Sequence, residues 1–182
     1  MEFVELMCTL SLCGKNEHKM QSIQDKIQLK GNAQQTIADW HANGQRVVFT
    51  NGCFDILHYG HIQYLEEARN LGDRLVVGLN ASASVSRLKG PRRPINDEKT
   101  RSFLMAALQM VDLVVIFEED TPYDLIQALQ PDILVKGGDW KPEQIVGSDL
   151  VLARGGEVRS LHFAEGYSTT NIEQKIILLA QQ

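Results

Sequence analysis

At 182 residues and 20.4 kDa the chain fits one domain better than two, and a domain of this size buries roughly 70% of its unfolded surface. Hydrophobic residues make up 43% and charged residues 23%, which excludes a disordered chain, a collagen and a disulfide scaffold. A net charge of -5 argues against a general nucleic-acid or membrane-surface binder, yet allows an anionic substrate wherever positive charge is gathered locally. Cys8, Cys13 and Cys53 form neither an even disulfide set nor a zinc spacing, so a reducing cytoplasm is expected and no metal cage follows.

The opening Met1 to Cys13 carries nine apolar residues of thirteen. It is too short to span a bilayer, holds Glu2 and Glu5, and lacks a basic leader region, so neither a membrane anchor nor a signal peptide is expected. Residues 1–22 read as an N-terminal extension of unknown role, and 23–182 as one domain whose core begins at Arg46.

From Arg46 onward, strand candidates alternate with amphipathic helices. The strands are Arg46 to Thr50, Arg74 to Asn80, Leu113 to Phe117, Ile133 to Lys136 and Glu157 to Phe163. Most are unbroken Val/Ile/Leu runs, as expected of parallel strands buried on both faces. Helical patterns fall at about Gly60 to Asn70, Asp97 to Met110, Pro122 to Leu129, Pro142 to Ala153 and Thr170 to Ala180. Ile62, Leu65 and Ala68 line one apolar face, and Ile172, Ile176 and Leu179 another. The order predicts an α/β fold: a doubly wound, parallel, five-stranded Rossmann-like sheet with helices on both faces. Its ligands should bind outside the carboxyl ends of the strands.

The first strand runs into Asn51-Gly52-Cys53-Phe54-Asp55-Ile56-Leu57-His58-Tyr59-Gly60-His61 and then into a helix. His58 and His61, three apart at a helix start, share a face, and Gly60 removes a side chain that would block close approach. Free amides at the helix start suit a phosphate. This composition predicts about 0.01 chance occurrences of His-x-Gly-His in the whole chain. The competing reading makes one histidine a cap and the other a surface residue. Asp55 reads equally as an ordinary turn former, and Cys53 as a small buried thiol.

Ser84 to Arg93 gathers Arg87, Lys89, Arg92 and Arg93 without an acid. At the ligand end of a sheet it suits phosphate capture, although a solvated basic loop has the same composition. Lys136-Gly137-Gly138-Asp139-Trp140 allows close backbone approach or merely a tight turn. Ser168, Thr169 and Thr170 open the last helix, either as an ordinary cap or as a second phosphate cradle.

The segment TNGCFDILHYGH resembles the signature of the HxGH nucleotidyltransferases, the cytidylyltransferase-like superfamily. Together FTNGCFDILHYGH, RLKG, FEEDTP, LVKGGDW and GYSTTNI resemble the branch that adenylylates heptose 1-phosphate in ADP-heptose synthesis. The resemblance implies that ATP and D-glycero-β-D-manno-heptose 1-phosphate give ADP-heptose and pyrophosphate, for lipopolysaccharide core or another surface glycan. An oxygen of the acceptor phosphate would attack the α-phosphorus in line, with Mg²⁺ carried mainly by the substrate phosphates. Carried over residue by residue, it makes His58, His61 and Lys89 catalytic. It assigns the nucleotide to Thr50, Asn51, Gly52, Phe54, Gly60, Arg101, Gly138, Asp139, Ser168, Thr169 and Thr170, although a helical arginine such as Arg101 is often structural. It assigns the acceptor to Asp55, Lys89, Lys136 and Trp140. Glu118 to Thr121 match a segment near the acceptor, with helix capping as the rival reading. Partners implied are small molecules, with no nucleic acid and no membrane, a homodimer, and a separate sugar kinase for the preceding step. Nothing in the residues declares adenine over cytosine. The alternatives are a CTP-dependent cytidylyltransferase acting on glycerol 3-phosphate or a similar alcohol or sugar phosphate, and a sensor that binds nucleotide without turnover.

Overall fold

The computed structural model describes residues 22–162 and 164–181. Expectations about residues 1–21, including Cys8 and Cys13, and about Phe163 fall outside the described residues.

Six parallel strands form one sheet: β1 (Ile27–Gln28), β2 (Val47–Gly52), β3 (Arg74–Asn80), β4 (Leu113–Phe117), β5 (Ile133–Gly137) and β6 (Glu157–Leu161), in the order β1-β4-β3-β2-β5-β6. The five expected strands are present. The sixth, β1, is a two-residue edge strand that pairs Ile27 with Val114; two residues without an apolar run leave no period to read. Seven α-helices accompany the strands among the described residues: α1 (Lys30–Ala42), α2 (Tyr59–Arg69), α3 (Ser82–Lys89), α4 (Glu98–Ala107), α5 (Tyr123–Leu129), α6 (Ser148–Ala153) and α7 (Thr169–Ala180).

Alternation along the strands divides the core into two layers. Val48 of β2 and Leu75, Val77 and Leu79 of β3 pack with Leu65 and Ala68 of α2 and with Met105 of α4. Val47, Phe49 and Val76 face the other way, against Ala33 and Ile37 of α1 and Leu125, Ile126 and Leu129 of α5. Both faces of the sheet are therefore covered, which is why these strands read as continuous Val/Ile/Leu runs.

The chain departs from its expected elements at four places. Helix α1 lacks a readable stripe because it buries only Ala33 and Ile37. Most of the supposed basic loop, Ser84 to Lys89, belongs to helix α3, which Gly90 ends at φ 97°, a backbone angle that glycine adopts without the Cβ penalty. The helix expected over Pro142 to Ala153 is a 3₁₀ turn, Pro142–Gln144, and the separate α6, broken at Gly147. The apolar face expected of α7 is not laid on the sheet: no residue of α7 is buried, and Ile176 and Leu179 stand 58% and 59% exposed.

Strand β2 pairs with β3 on one side and β5 on the other. The chain's connections diverge there, so a crevice opens beyond the carboxyl ends of β2 and β5. The strand-to-helix turn after β2 delivers His58 and His61 to that crevice.

Candidate active site

His58 sits at the position that precedes α2, in extended backbone, and His61 follows in the first turn. Their rings stack with centroids 3.8 Å apart and planes 25° apart. Phe54 presents its ring edge-to-face to His61 at 5.4 Å. The Nδ1 atoms of both histidines are buried without a hydrogen-bond partner, which leaves Nε2 as the nitrogen through which each ring serves a ligand. Burial, then the neighbouring His58, then the Lys89 ammonium push His61 down to about 4. Burial also lowers His58. His61 is therefore a neutral imidazole near pH 7, able to donate one N–H to a phosphoryl oxygen.

Gly60 lets the chain pack closely here. A Cβ there would lie 3.3 Å from Cε1 and Nδ1 of His58 and 3.3 Å from Cβ of Tyr167.

A cleft of about 450 Å³ lies beside the pair. Its polar wall holds Asn51, His61, Lys89, Lys136 and Thr169, and its apolar wall Leu88, Pro122, Trp140, Ile145 and Val146. Lys136 donates to Oδ1 of Asn51 at 3.2 Å; burial lowers its pKa, and the charge of Lys89 adds to that effect. Two ammonium groups, one partly desolvated, thus face a site whose lining carboxylates, Asp55 and Asp120, are paired with arginines. An anion entering it would relieve their repulsion.

The four expected acceptor residues, Asp55, Lys89, Lys136 and Trp140, all line this cleft, as do Asn51, Gly52, Phe54, His61 and Thr169. His58 does not line it directly but stacks on His61, which does, and Gly60, Gly138, Asp139, Ser168 and Thr170 do not line it either. Gly138 donates its amide to the Leu161 carbonyl, and Asp139 pairs with His162 at 2.9 Å on an exposed surface. Ser168 accepts from the Asn171 amide at 3.0 Å, an ordinary N-cap. Trp140 donates its indole N–H to the Gly137 carbonyl at 3.1 Å and is half exposed.

Three expected ligands have their side chains committed elsewhere. Arg101 is completely buried and donates to the carbonyls of Cys53 and Asn80, both at 2.8 Å, to the Asn96 carbonyl and to Ser82 Oγ. It braces the floor of the site, with its guanidinium donating to backbone carbonyls and Ser82. Thr50 is likewise buried, its hydroxyl hydrogen-bonded to Tyr64 at 2.5 Å. Asp55 accepts from Arg93 at 2.8 Å and from the amides of Ile95 and Asn96 at 2.7 and 2.9 Å. Burial opposes its ionisation, but those two amides and the Arg93 guanidinium outweigh it and hold the carboxyl below the usual range. Its carboxylate is a scaffold for residues 93–96.

The basic segment also divides. Arg87 pairs with Asp120 at 2.7 Å and donates to the Glu118 carbonyl at 2.6 Å, which pins the loop after β4. Arg93 is paired with Asp55 and Glu173. Of its four cations only Lys89 lines the cleft. Sequence reasoning missed Leu88, Asn80, Gln144, Ile145 and Val146, which also line it. The last three lay within an expected continuous helix, and only the break at Gly147 indicated that Ile145 could leave that pattern.

A parallel doubly wound sheet here carries a histidine pair and two lysines at its switch point, a site suited to phosphate groups. Residues 49–175 match the cytidylyltransferase-like family model, and the chain belongs to that family. It is 59% identical over 152 residues to the bifunctional protein HldE of Magnetococcus marinus, covering 84% of this chain and 31% of that protein. It is 53% identical over 173 residues to the protein of that name in Trichlorobacter lovleyi, covering 95% and 34% respectively. The chain thus spans about a third of the length of these curated relatives. A crystal structure of the lipopolysaccharide core biosynthesis protein from Thermoplasma volcanium is similar at a TM-score of 0.54 and 32% identity, covering 69% of this chain and all of that one.

Proposed function

We propose that the chain joins ATP to D-glycero-β-D-manno-heptose 1-phosphate, giving ADP-heptose and pyrophosphate. The observation that carries this reading is the cleft in which Lys89 and Lys136 stand beside a neutral His61. An oxygen of the sugar phosphate forms a bond to the α-phosphorus while the bond from that phosphorus to the bridging oxygen breaks. Pyrophosphate leaves with the electron pair, and no enzyme-bound intermediate forms. His58 and His61 hold the α-phosphoryl oxygens through Nε2–H donors as charge builds. Lys89 and Lys136 hold the acceptor phosphate, and Trp140 walls in the sugar. The start of α7 receives the terminal phosphates, its amides and dipole favouring anions.

Mg²⁺ is part of the proposal and arrives on the triphosphate. Among the described residues no group of three or more His, Cys, Asp and Glu side chains is placed to hold a metal ion, and the carboxylates that line the cleft, Asp55 and Asp120, are paired with arginines. Bound to the triphosphate, Mg²⁺ shields the charge of the phosphates.

The ADP-heptose reading is supported by the five sequence segments named above and by the high identity to HldE proteins. A separate sugar kinase supplying the 1-phosphate, self-association as a homodimer, a cytoplasmic location and assignment of residues 23–182 to the catalytic domain belong to the same proposal. No helix among the described residues is long and apolar enough to cross a membrane.

Pyrophosphate release measured across ATP, CTP, heptose 1-phosphates and glycerol 3-phosphate tests the reading. ADP-heptose formed with ATP supports it. Turnover with CTP alone identifies a cytidylyltransferase, and nucleotide binding without turnover on any acceptor identifies a sensor.

A further inference from the structure

Arg93 belongs to the basic run expected to capture phosphate, yet its guanidinium joins two acids. Nη1 lies 2.8 Å from Asp55 Oδ2 and Nη2 lies 2.6 Å from Glu173 Oε2, with the arginine side chain only 16% exposed. Its backbone is tied to the end of α3, where Lys89 sits: the Arg93 amide donates to the Gly90 carbonyl, and Ser86 Oγ donates to the Arg93 carbonyl at 2.5 Å. Asp55 stands three residues before His58, and its carbonyl accepts from Thr169 Oγ1 in the first turn of α7 at 3.2 Å. One arginine therefore connects the histidine turn, the lysine helix and α7.

Helix α7 has no buried residue. Packing of an apolar face, which ordinarily fixes a helix on its domain, contributes little here. The Arg93–Glu173 pair, the Thr169–Asp55 bond and the Tyr59–Tyr167 ring contact, with centroids 4.8 Å apart, hold the start of α7 against the site.

We propose that Arg93 is a positioning residue that aims the start of α7 at the terminal phosphates of the nucleotide by holding Glu173 against Asp55. This rests on the nucleotidyl-transfer reading above and adds a coupling between the acceptor side and the triphosphate side of the site. Arg93 does not touch substrate; it acts through α7.

The test removes Glu173, because substituting Arg93 would strand the buried Asp55. Glu173→Ala leaves Arg93 and Asp55 paired and loosens only α7. The expected result is a rise of about fivefold to twentyfold in KM for ATP and in the Kd for inorganic pyrophosphate measured by calorimetry. The KM for the sugar phosphate stays within about twofold and kcat within about threefold, a split that general destabilisation would not produce. Glu173→Asp restores part of the loss. If Arg93 were itself a phosphate ligand, Glu173→Ala would free it and nucleotide and pyrophosphate would bind as tightly or more tightly, which overturns the proposal. An equal rise in both KM values also overturns it. Because pyrophosphate binding needs no acceptor, a wild-type protein inactive on heptose 1-phosphate would refute the proposed reaction while leaving this relay to be judged on its own measurement.

Discussion

The imidazoles of His58 and His61 stack at 3.8 Å between centroids, each with Nδ1 buried and unpartnered. Each ring thus holds the other in place, and only Nε2 is left to act. Replacing His61 with Ala is expected to lower kcat by two or more orders of magnitude, the scale of a lost transition-state donor. Steady-state kinetics beside a thermal melt checks this; undiminished turnover in a folded variant would remove the role.

Gly60→Ala separates geometry from stability. Alanine favours a helix over glycine by about 1 kcal/mol, but its Cβ would press on His58 and on Tyr167 at 3.3 Å. The melting temperature should hold or rise slightly while kcat falls about tenfold, since small displacements of catalytic groups are costly. A variant with full activity would show that the ring pair accommodates the methyl group.

Arg101→Met leaves the carbonyls of Cys53, Asn80 and Asn96 without their donor in a fully buried place. Unsatisfied buried acceptors and a broken charged network place the loss at about 3–5 kcal/mol. Urea unfolding should show a lower midpoint with an unchanged slope. A loss of nucleotide affinity at full stability would instead return Arg101 to the role of a phosphate ligand.

Acid should weaken the fold in a defined window. His61 is depressed from 6.5 to about 4, so between those values the unfolded chain takes a proton that the folded ring refuses. Stability therefore falls as pH drops from about 6.5 to about 4, and this contribution changes no further below that. Asp55, also depressed, adds stability above its unfolded pKa that is lost as pH falls through its lower folded value. Denaturant midpoints across pH 4 to 7 should have a shallower slope in His61→Gln than in the parent. Identical slopes would show that His61 titrates normally.

Much of this protein is written in local pattern. The runs RLVVGLN and LVVIF read as strands because burial on both faces leaves no room for polar residues, and they span β3 and β4 as found. The pair His58 and His61 and the hydroxyls at 168–170 stand out in the sequence because each group starts a helix, where backbone amides and ligands meet, whereas Lys89 ends α3 and Lys136 lies within β5.

Tertiary structure alone decided which charges are free. In the sequence Arg87, Lys89, Arg92 and Arg93 are one basic run; in the fold Arg87 meets Asp120, Arg93 meets Asp55 and Glu173, and Lys89 enters the cleft. Those acids come from segments 33, 38 and 80 positions away, separations over which no periodicity operates. The same holds for Arg101 and Thr50, whose polar groups are bonded to partners that the fold brings to them, and for the apolar wall of Ile145 and Val146. Composition set the amount of charge in the chain, whereas long-range pairing in a partly desolvated interior set where an anion can use it.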